Sequence, residues 1–477
     1  MKALRAAAAL VGITLVFTAP GIASVSAQTG ASPLAAYNAD IRDSSISGIS
    51  SGGFMAVQFG VAWSSTLKGV GVIAGGPYYC AQGTAAEGLA GNLLPELTAT
   101  GPCMRGPPPA LGPLFDKADE WARRGDIDEP RNIAHHHIYI FAGYNDTVVN
   151  PQIGDSTYHF YLHYLTDRAK GNLFYQNAIG AGHSQVTVDY GLACADNKDY
   201  FIDRCNYDQA GILLQHIYGA LNPKNAGELS GEILSFDQRE FTFPDSPGSY
   251  SMAETGYLYV PAACAARQPC RVHVALHGCK QNHDAIGDRY IRHAGYNEWA
   301  DTNGLIILYP QTIAGNPLTD FGTPLNPFGC WDWWGYTNFN YAVKAGRQIT
   351  TIKSMLDRLT SKYVPRRAAP PPGSATPSEI AVNDVSDTGA ALAWKAIPGV
   401  ASYTVYRATA GDNNFAMAGS VLAPSFGDMG LHPATSYAYK VTATLGGGSE
   451  GPSSPVVTAT TLPLAPRCDQ PGSCPVR

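Results

Sequence analysis

Gly48-Ile49-Ser50-Ser51-Gly52-Gly53 is the stretch on which the fold turns. A G-x-S-x-G run is the signature of a sharp turn from strand to helix that exposes a Ser Oγ at the top of a sheet. The flanks agree with that reading. Ile46 and Ile49 form a short apolar approach, and FMAVQFGVAW (54–63) has helical spacing. The position is unusual. Two strands and a loop that receives an oxyanion normally precede such a turn, and here fewer than fifty residues do. Three small residues also recur by chance in a Gly-rich chain, so the alternative is an ordinary Ser/Gly turn.

Working outward, residues 1–27 read as a secretory leader. Lys2 and Arg5 precede an apolar stretch from Ala6 to Phe17, and Val25-Ser26-Ala27 offers a small-residue cleavage site. That stretch is shorter than the ~20 residues of a membrane span. The expectation is an exported protein, extracellular or periplasmic, with no membrane partner. Charged residues make up 15% of the chain, the net charge is −6 and no basic block occurs, which argues against nucleic acid. Ten Cys in an exported chain imply disulfides, and nearest-neighbour pairing is the simplest arrangement: 80–103, 194–205, 264–270, 279–330 and 468–474. No C-x-x-C pair or Cys/His cluster at ligand spacing occurs, so neither a metal nor another cofactor is expected. Neighbours in the run His135-His136-His137 face opposite ways on an extended chain, so they read as strand-entry polar residues.

Residues 28–365 alternate apolar strands with helical patterns. LKGVGVIAG (67–75), HIYIFAG (137–143), RVHVALHG (271–278) and GLIILYP (304–310) read as buried strands. Helical stretches include part of 207–220 and the segment 345–363. Such alternation predicts an α/β domain with a mostly parallel sheet covered on both faces. A Pro-rich linker, 366–375, follows. Over 376–462 the period changes to two, with short strands at 391–394, 402–408, 436–444 and 455–461. Trp394 and the segment Leu431–Tyr437 resemble the core Trp and the turn before the penultimate strand of fibronectin type III domains. A short tail, 463–477, ends the chain.

Acyl transfer by Ser needs a base, a carboxylate and oxyanion donors. Asp146 lies just past the C-terminal end of the strand HIYIF, where catalytic groups of open parallel sheets gather. His183 stands between glycines in GAGHSQVT (180–187). The order Ser50, Asp146, His183 is that of α/β-hydrolases, an order the alternative acid Asp196 would break. The missing oxyanion loop occurs far downstream, where VHVAL ends in His277-Gly278-Cys279. Joining Tyr363 to Asp40 makes the series continuous: strand, HG turn, helix, strand, helix, strand, Ser elbow. The chain therefore reads as a circularly permuted α/β-hydrolase, a rearrangement tolerated because domain termini are often close in space.

GISSGGFMAVQ, FAGYNDTVV, GAGHSQ, CNYDQAG, LHGCKQN and NPFGCWDWWGY, over about 36–365, resemble extracellular poly(3-hydroxybutyrate) depolymerases of the type whose lipase box precedes the oxyanion strand. The resemblance implies Ser50 as nucleophile, Asp146 as acid and His183 as base. It implies oxyanion donation by the Ser51 and Cys279 amides. In Cys330-Trp331-Asp332-Trp333-Trp334, a substrate wall is expected at Trp334 and Trp331. A 279–330 disulfide would tie that wall to the oxyanion loop. The implied substrate is a polyester or its oligomers. Secreted members usually carry a polymer-binding domain after the linker module, whereas only 463–477 follow here, so action on amorphous granules or soluble oligomers is expected. Two other readings are a carboxylesterase for feruloyl or other small esters and a secreted binding protein with a dead hydrolase domain.

Overall fold

The computed structural model describes residues 31–82, 89–198, 200–362, 376–397, 400–445 and 450–463. The leader 1–27, the linker 366–375, the tail beyond 463 and the pair Cys468/Cys474 lie outside them. The chain enters its main sheet in the middle. Strand β1 (Ala39–Ile49) is followed outward by β2 (Leu67–Ile73), β3 (His137–Phe141) and β4 (Leu173–Gln176), all parallel. Three short strands, β5 (Gln185–Thr187), β6 (Leu192–Ala193) and β7 (Ile202–Arg204), then form a separate small sheet. The chain next builds the opposite edge from β8 (Glu232–Asp237) and β9 (Thr255–Val260), and returns through β10 (Cys270–Leu276) and β11 (Leu305–Tyr309). The eight-stranded order is β4-β3-β2-β1-β10-β11-β9-β8. β10 pairs in parallel with β1, with Ser47 opposite Ala275 and Gly48 opposite Leu276. The N-terminal elbow strand thus lies beside a strand more than two hundred residues later, as the permuted order requires. In this sheet the pairings of β9 with β11 and with β8 are antiparallel, so β9 alone runs against the rest.

Strand periodicity divides the interior into two cores. Ile46, Val70, Val72, Ile138, Ile140, Val272 and Val274 face one side of the sheet. Ile49, Ile73, Tyr139, Phe141, Ala275, Ile307 and Tyr309 face the other. Helix α1 (Ser51–Ala62) is buried at every position and packs on β1 and β2. An amphipathic helix, Arg347–Thr360, covers it with Ile349, Ile352, Met355 and Leu356.

Beneath the elbow, the second face holds a buried polar network. Ser45 Oγ lies 2.7 Å from His273 Nδ1 and Ser47 Oγ lies 2.8 Å from His273 Nε2, and the two hydroxyls also meet the Tyr218 and Tyr296 hydroxyls. Desolvation pushes His273 down to about 3. The same cause brings His136, whose Nε2–H donates to the Ser64 carbonyl, to about 4, and His277 to about 4. All three lie below the unfolded value near 6.5, so on acidification the unfolded chain takes up protons first. Their contribution is complete above about pH 6.5 and is lost as pH falls through 4. Asp203, raised to about 7 by burial, acts in the opposite sense, its contribution fading as pH rises toward 7. Desolvation also lowers His137 to about 4, lowers His216 and His293 and raises Asp332 and Glu298, so six imidazoles stand against three carboxyls and the melting temperature is expected to fall between pH 6.5 and 4. Thermal melts across that range check this, and a flat or rising profile would contradict it.

The C-terminal strands are antiparallel. β12 (Ala381–Val385), β13 (Gly389–Ala393), β14 (Val400–Thr409), β15 (Ala416–Val421), β16 (Ser425–Met429), β17 (Ser436–Leu445) and β18 (Val457–Thr460) form sheets ordered β12-β13-β16 and β15-β14-β17-β18. Trp394, Val405, Tyr439 and Val441 fill the space between them. The Tyr437 hydroxyl accepts from the His432 amide at 2.9 Å, closing the turn before β17. This is a fibronectin type III-like sandwich. Four of the five nearest-neighbour disulfides lie within the described residues and all four are formed: 80–103, 194–205, 264–270 and 279–330.

Candidate active site

At the end of β1 the chain reverses into α1 through Ser50, whose backbone lies at φ 57°, ψ −125°. A non-glycine residue adopts that left-handed conformation only when its surroundings over-determine it. The Ser50 amide donates to the Ile73 carbonyl at 2.9 Å, and the Phe54 amide donates to the Ser50 carbonyl at 3.0 Å. The two glycines of the motif are fixed by space. A Cβ on Gly48 would come within 2.3 Å of the Gly52 carbonyl oxygen, and one on Gly52 within 2.4 Å of the His277 carbonyl oxygen. The turn is thus pressed directly against the end of β10. Ser50 also sits at the N-terminus of a twelve-residue helix, where unpaired amides and the helix dipole favour negative charge.

Asp146 follows β3. Its Oδ1 accepts from the Val148 and Val149 amides, each at 2.8 Å. Its Oδ2 accepts from His183 Nδ1 at 2.8 Å, and both side chains are buried. Asp196, by contrast, packs its backbone carbonyl against Gly182 and does not hold the imidazole. Asn197 joins the two loops. Its Oδ1 accepts from the His183 and Thr147 amides, both at 2.9 Å, and its Nδ2 donates to the Asn145 and Ala195 carbonyls. The Cys194–Cys205 disulfide and the small β5–β7 sheet support this base loop from below. His135, His136 and His137 belong to no metal-binding group among the described residues.

The HG turn reaches the elbow from β10. A Cβ on Gly278 would lie 3.1 Å from Ser50 Cβ. The Thr312 amide donates to His277 Nε2 at 3.3 Å, which leaves the proton on Nδ1 to donate to the Gly278 carbonyl at 2.7 Å. Held near a pKa of 4 by burial, His277 is neutral at ordinary pH and keeps that tautomer. Gly278 C=O and Cys279 N–H belong to one peptide plane, so His277 fixes the direction of the Cys279 donor. Gln281 holds the preceding amide: its Oε1 accepts from Gly278 N–H at 2.7 Å. Neither the Ser51 nor the Cys279 amide has an acceptor among the described residues.

Ser50, His183 and Cys279 open into one cavity of about 430 Å³. Trp333 and Trp334 line it, with Val148, Met104 and Phe201. Trp334, expected on a substrate wall, lines the cavity that holds Ser50. Trp331 does not. Its ring is fully buried 5.5 Å from that of His277, and its amide donates to Ser51 Oγ at 3.2 Å. The reason is a tight turn at Asp332, whose carboxylate accepts from the Gly335, Tyr336 and Thr337 amides. Trp333 takes the place on the wall instead, stacked at 3.9 Å on Phe54. In a second cavity of about 560 Å³, lined by Glu254, Tyr257 and His283, no hydroxyl is hydrogen-bonded to the His283 ring among the described residues, and that ring stacks on Tyr257 at 4.8 Å.

No family model matches the chain. Individual relatives do. It is 38% identical over 456 residues to a poly(3-hydroxybutyrate) depolymerase of Delftia acidovorans, covering 94% of this chain and 84% of the relative. The chain belongs to the poly(3-hydroxybutyrate) depolymerase family. A polyhydroxybutyrate depolymerase of Talaromyces funiculosus is 37% identical over 355 residues, covering 72% of this chain and 96% of that one. A solved PHB depolymerase complexed with an R3HB trimer superposes with a TM-score of 0.61 at 36% identity, over 70% of this chain and all of that one. A crystal structure of PHB depolymerase from Penicillium funiculosum gives a TM-score of 0.60 at 35% identity over the same shares. As a member of this family the chain is an ester hydrolase with the α/β-hydrolase fold.

Proposed function

We propose that this depolymerase-family member is a secreted serine esterase that cleaves the ester bonds of poly(3-hydroxybutyrate), related short-chain polyesters and their oligomers. The observation that carries the reading is His183, paired at 2.8 Å with Asp146 and lining the same cavity as a positive-φ serine. Ser50 Oγ attacks the ester carbonyl and His183 Nε2 takes its proton. Asp146 orients the imidazole and offsets its developing charge. The Ser51 and Cys279 amides receive the oxyanion, an interaction whose loss typically costs about 10²–10³ in rate per donor. Collapse of the intermediate breaks the ester C–O bond, and His183 returns the proton to the leaving hydroxyl. Water then releases the acyl group from Ser50 as a carboxylate by the same steps.

An uncharged polyester of short hydroxyacids suits the apolar, aromatic walls. Leu325 and Phe328 line the cavity and are half exposed, and Leu318 and Phe321 of the same loop stand almost wholly in solvent. That is the contact expected of an enzyme working at an insoluble apolar surface. Secretion is supported by the leader pattern and the four disulfides. No helix among the described residues is long and apolar enough to cross a membrane.

The test is release of 3-hydroxybutyrate and its oligomers from amorphous polymer, followed by chromatography. Soluble hydroxyacid should appear in step with clearing of the suspension. Rapid cleavage of soluble aryl esters with no release from polymer would replace this reading by the small-ester carboxylesterase.

A further inference from the structure

The wall of the Ser50 cavity carries one Lys or Arg among the described residues, Lys280. We infer that Lys280 binds the free carboxylate of an oligoester chain end, so that the site discriminates acid-terminated oligomers from capped ones. This rests on the polyester reading of the site.

Lys280 directly follows the Cys279 donor, and its backbone is held in place on several sides. Its φ is 60°, in the left-handed region. Its amide donates to the Phe328 carbonyl at 2.7 Å, and the preceding residue is disulfide-bonded to Cys330. Strain of this kind persists where a site needs the geometry it produces. The ammonium sits 4.5 Å from the centre of the Phe328 ring, which also lines the cavity. It has no carboxylate partner among the described residues, whereas Lys224, Lys344 and Lys353 each have one within 2.7 Å. In a chain of net charge −6, an unpaired cation on an apolar cleft is not explained by general basicity.

The chemistry of the substrate supplies the missing partner. The interior of a hydroxyacid polyester is uncharged. Each hydrolysis adds water across one ester, leaving a hydroxyl on one fragment and a carboxylate, with release of a proton, on the other. The terminal carboxylate is therefore the single charge a linear oligomer brings. The ammonium is exposed at the mouth of the cavity on the half-exposed face of Phe328, so its pairing with a carboxylate is that of a surface ion pair, modest and weakened by salt. Glu96 is the one Asp or Glu in the lining among the described residues, and its like charge opposes an anion rather than binding it.

Binding is read on the Ser50→Ala enzyme, where turnover does not interfere. Calorimetry with the 3-hydroxybutyrate trimer as free acid and as methyl ester should show the acid binding about fivefold tighter. Lys280→Gln should abolish that preference, Lys280→Arg should retain it, and 0.5 M salt should weaken it. Equal affinities for the two trimers, or a preference unchanged in Lys280→Gln, would overturn the inference. Turnover of the methyl ester by enzyme with Ser50 intact tests the hydrolase reading separately. Its absence alongside a Lys280-dependent acid preference would remove that reading and leave the Lys280 site standing.

Discussion

Ser50→Ala is expected to lower turnover of both polymer and soluble ester by about 10⁶, leaving only the residual rate that binding and an oxyanion site supply. The fold should survive. The Ser50 backbone bonds to Ile73 and Phe54 are made by main-chain atoms and remain. Ala keeps the Cβ that packs near Gly278 and adopts φ 57° at much the same cost as Ser. No other residue loses a hydrogen bond, because the Ser50 hydroxyl has no partner among the described residues, and so the melting temperature should move by no more than a degree or two. Rate assays, labelling by a fluorophosphonate and thermal melts measure these separately. Turnover near wild type in a folded Ser50→Ala protein would mean that the strained turn serves only to reverse the chain. Loss of labelling with an unchanged melt is the expected pair of results.

How far these features were legible in the sequence depends on their length and their chemistry. The central strands announce themselves because parallel strands buried on both faces are continuous apolar runs, as in HIYIF and LIILY. The permutation was legible from the order of those runs around two motifs, the elbow and the HG turn, and β1 pairs β10 accordingly. The edge strands β8 and β9 were not. They are partly exposed and separated by short 3-10 turns, so EILSFD shows neither a clean alternation nor an apolar block. The two- and three-residue strands β5 to β7 are too short for any period to register.

Within the candidate site, Asp146 and His183 could be named from residue type, strand-end placement and chain order, and they lie 2.8 Å apart. Asn197 could not, since an Asn in a loop reads as a turn residue until its amide is seen joining the loops that carry Asp146 and His183. The His277 side chain was likewise unread, because the sequence draws attention to the backbone of the HG turn rather than to its imidazole. Among the three tryptophans, residue type fixes neither which faces the cavity nor which enters the core. The Asp332 turn decides that, and it exchanges the places expected of Trp331 and taken by Trp333.

Asp146→Asn is the substitution whose outcome the hydrogen bonds determine most fully. Asp146 Oδ1 accepts from two backbone amides, and only an oxygen can take that place. The Asn carbonyl oxygen therefore stays on Val148 and Val149, which turns the new NH₂ toward His183. Facing a donor, His183 Nδ1 must become an acceptor, and the neutral ring then carries its proton on Nε2. That is the wrong tautomer for accepting the Ser50 proton, and it removes the negative charge that offsets the imidazolium. The expected loss is about 10⁴ in kcat, with KM little changed because the cavity wall is untouched. Part of the rate should return at alkaline pH, where hydroxide substitutes for the missing base. The melting temperature should change little, since the bonds from the Val148 and Val149 amides are kept and the Asn side chain can still bond the imidazole. A kcat within tenfold of wild type would show that Asp146 does not set the tautomer. Asp196→Asn is the matched control: its carboxylate does not touch His183, so it should leave kcat within about twofold.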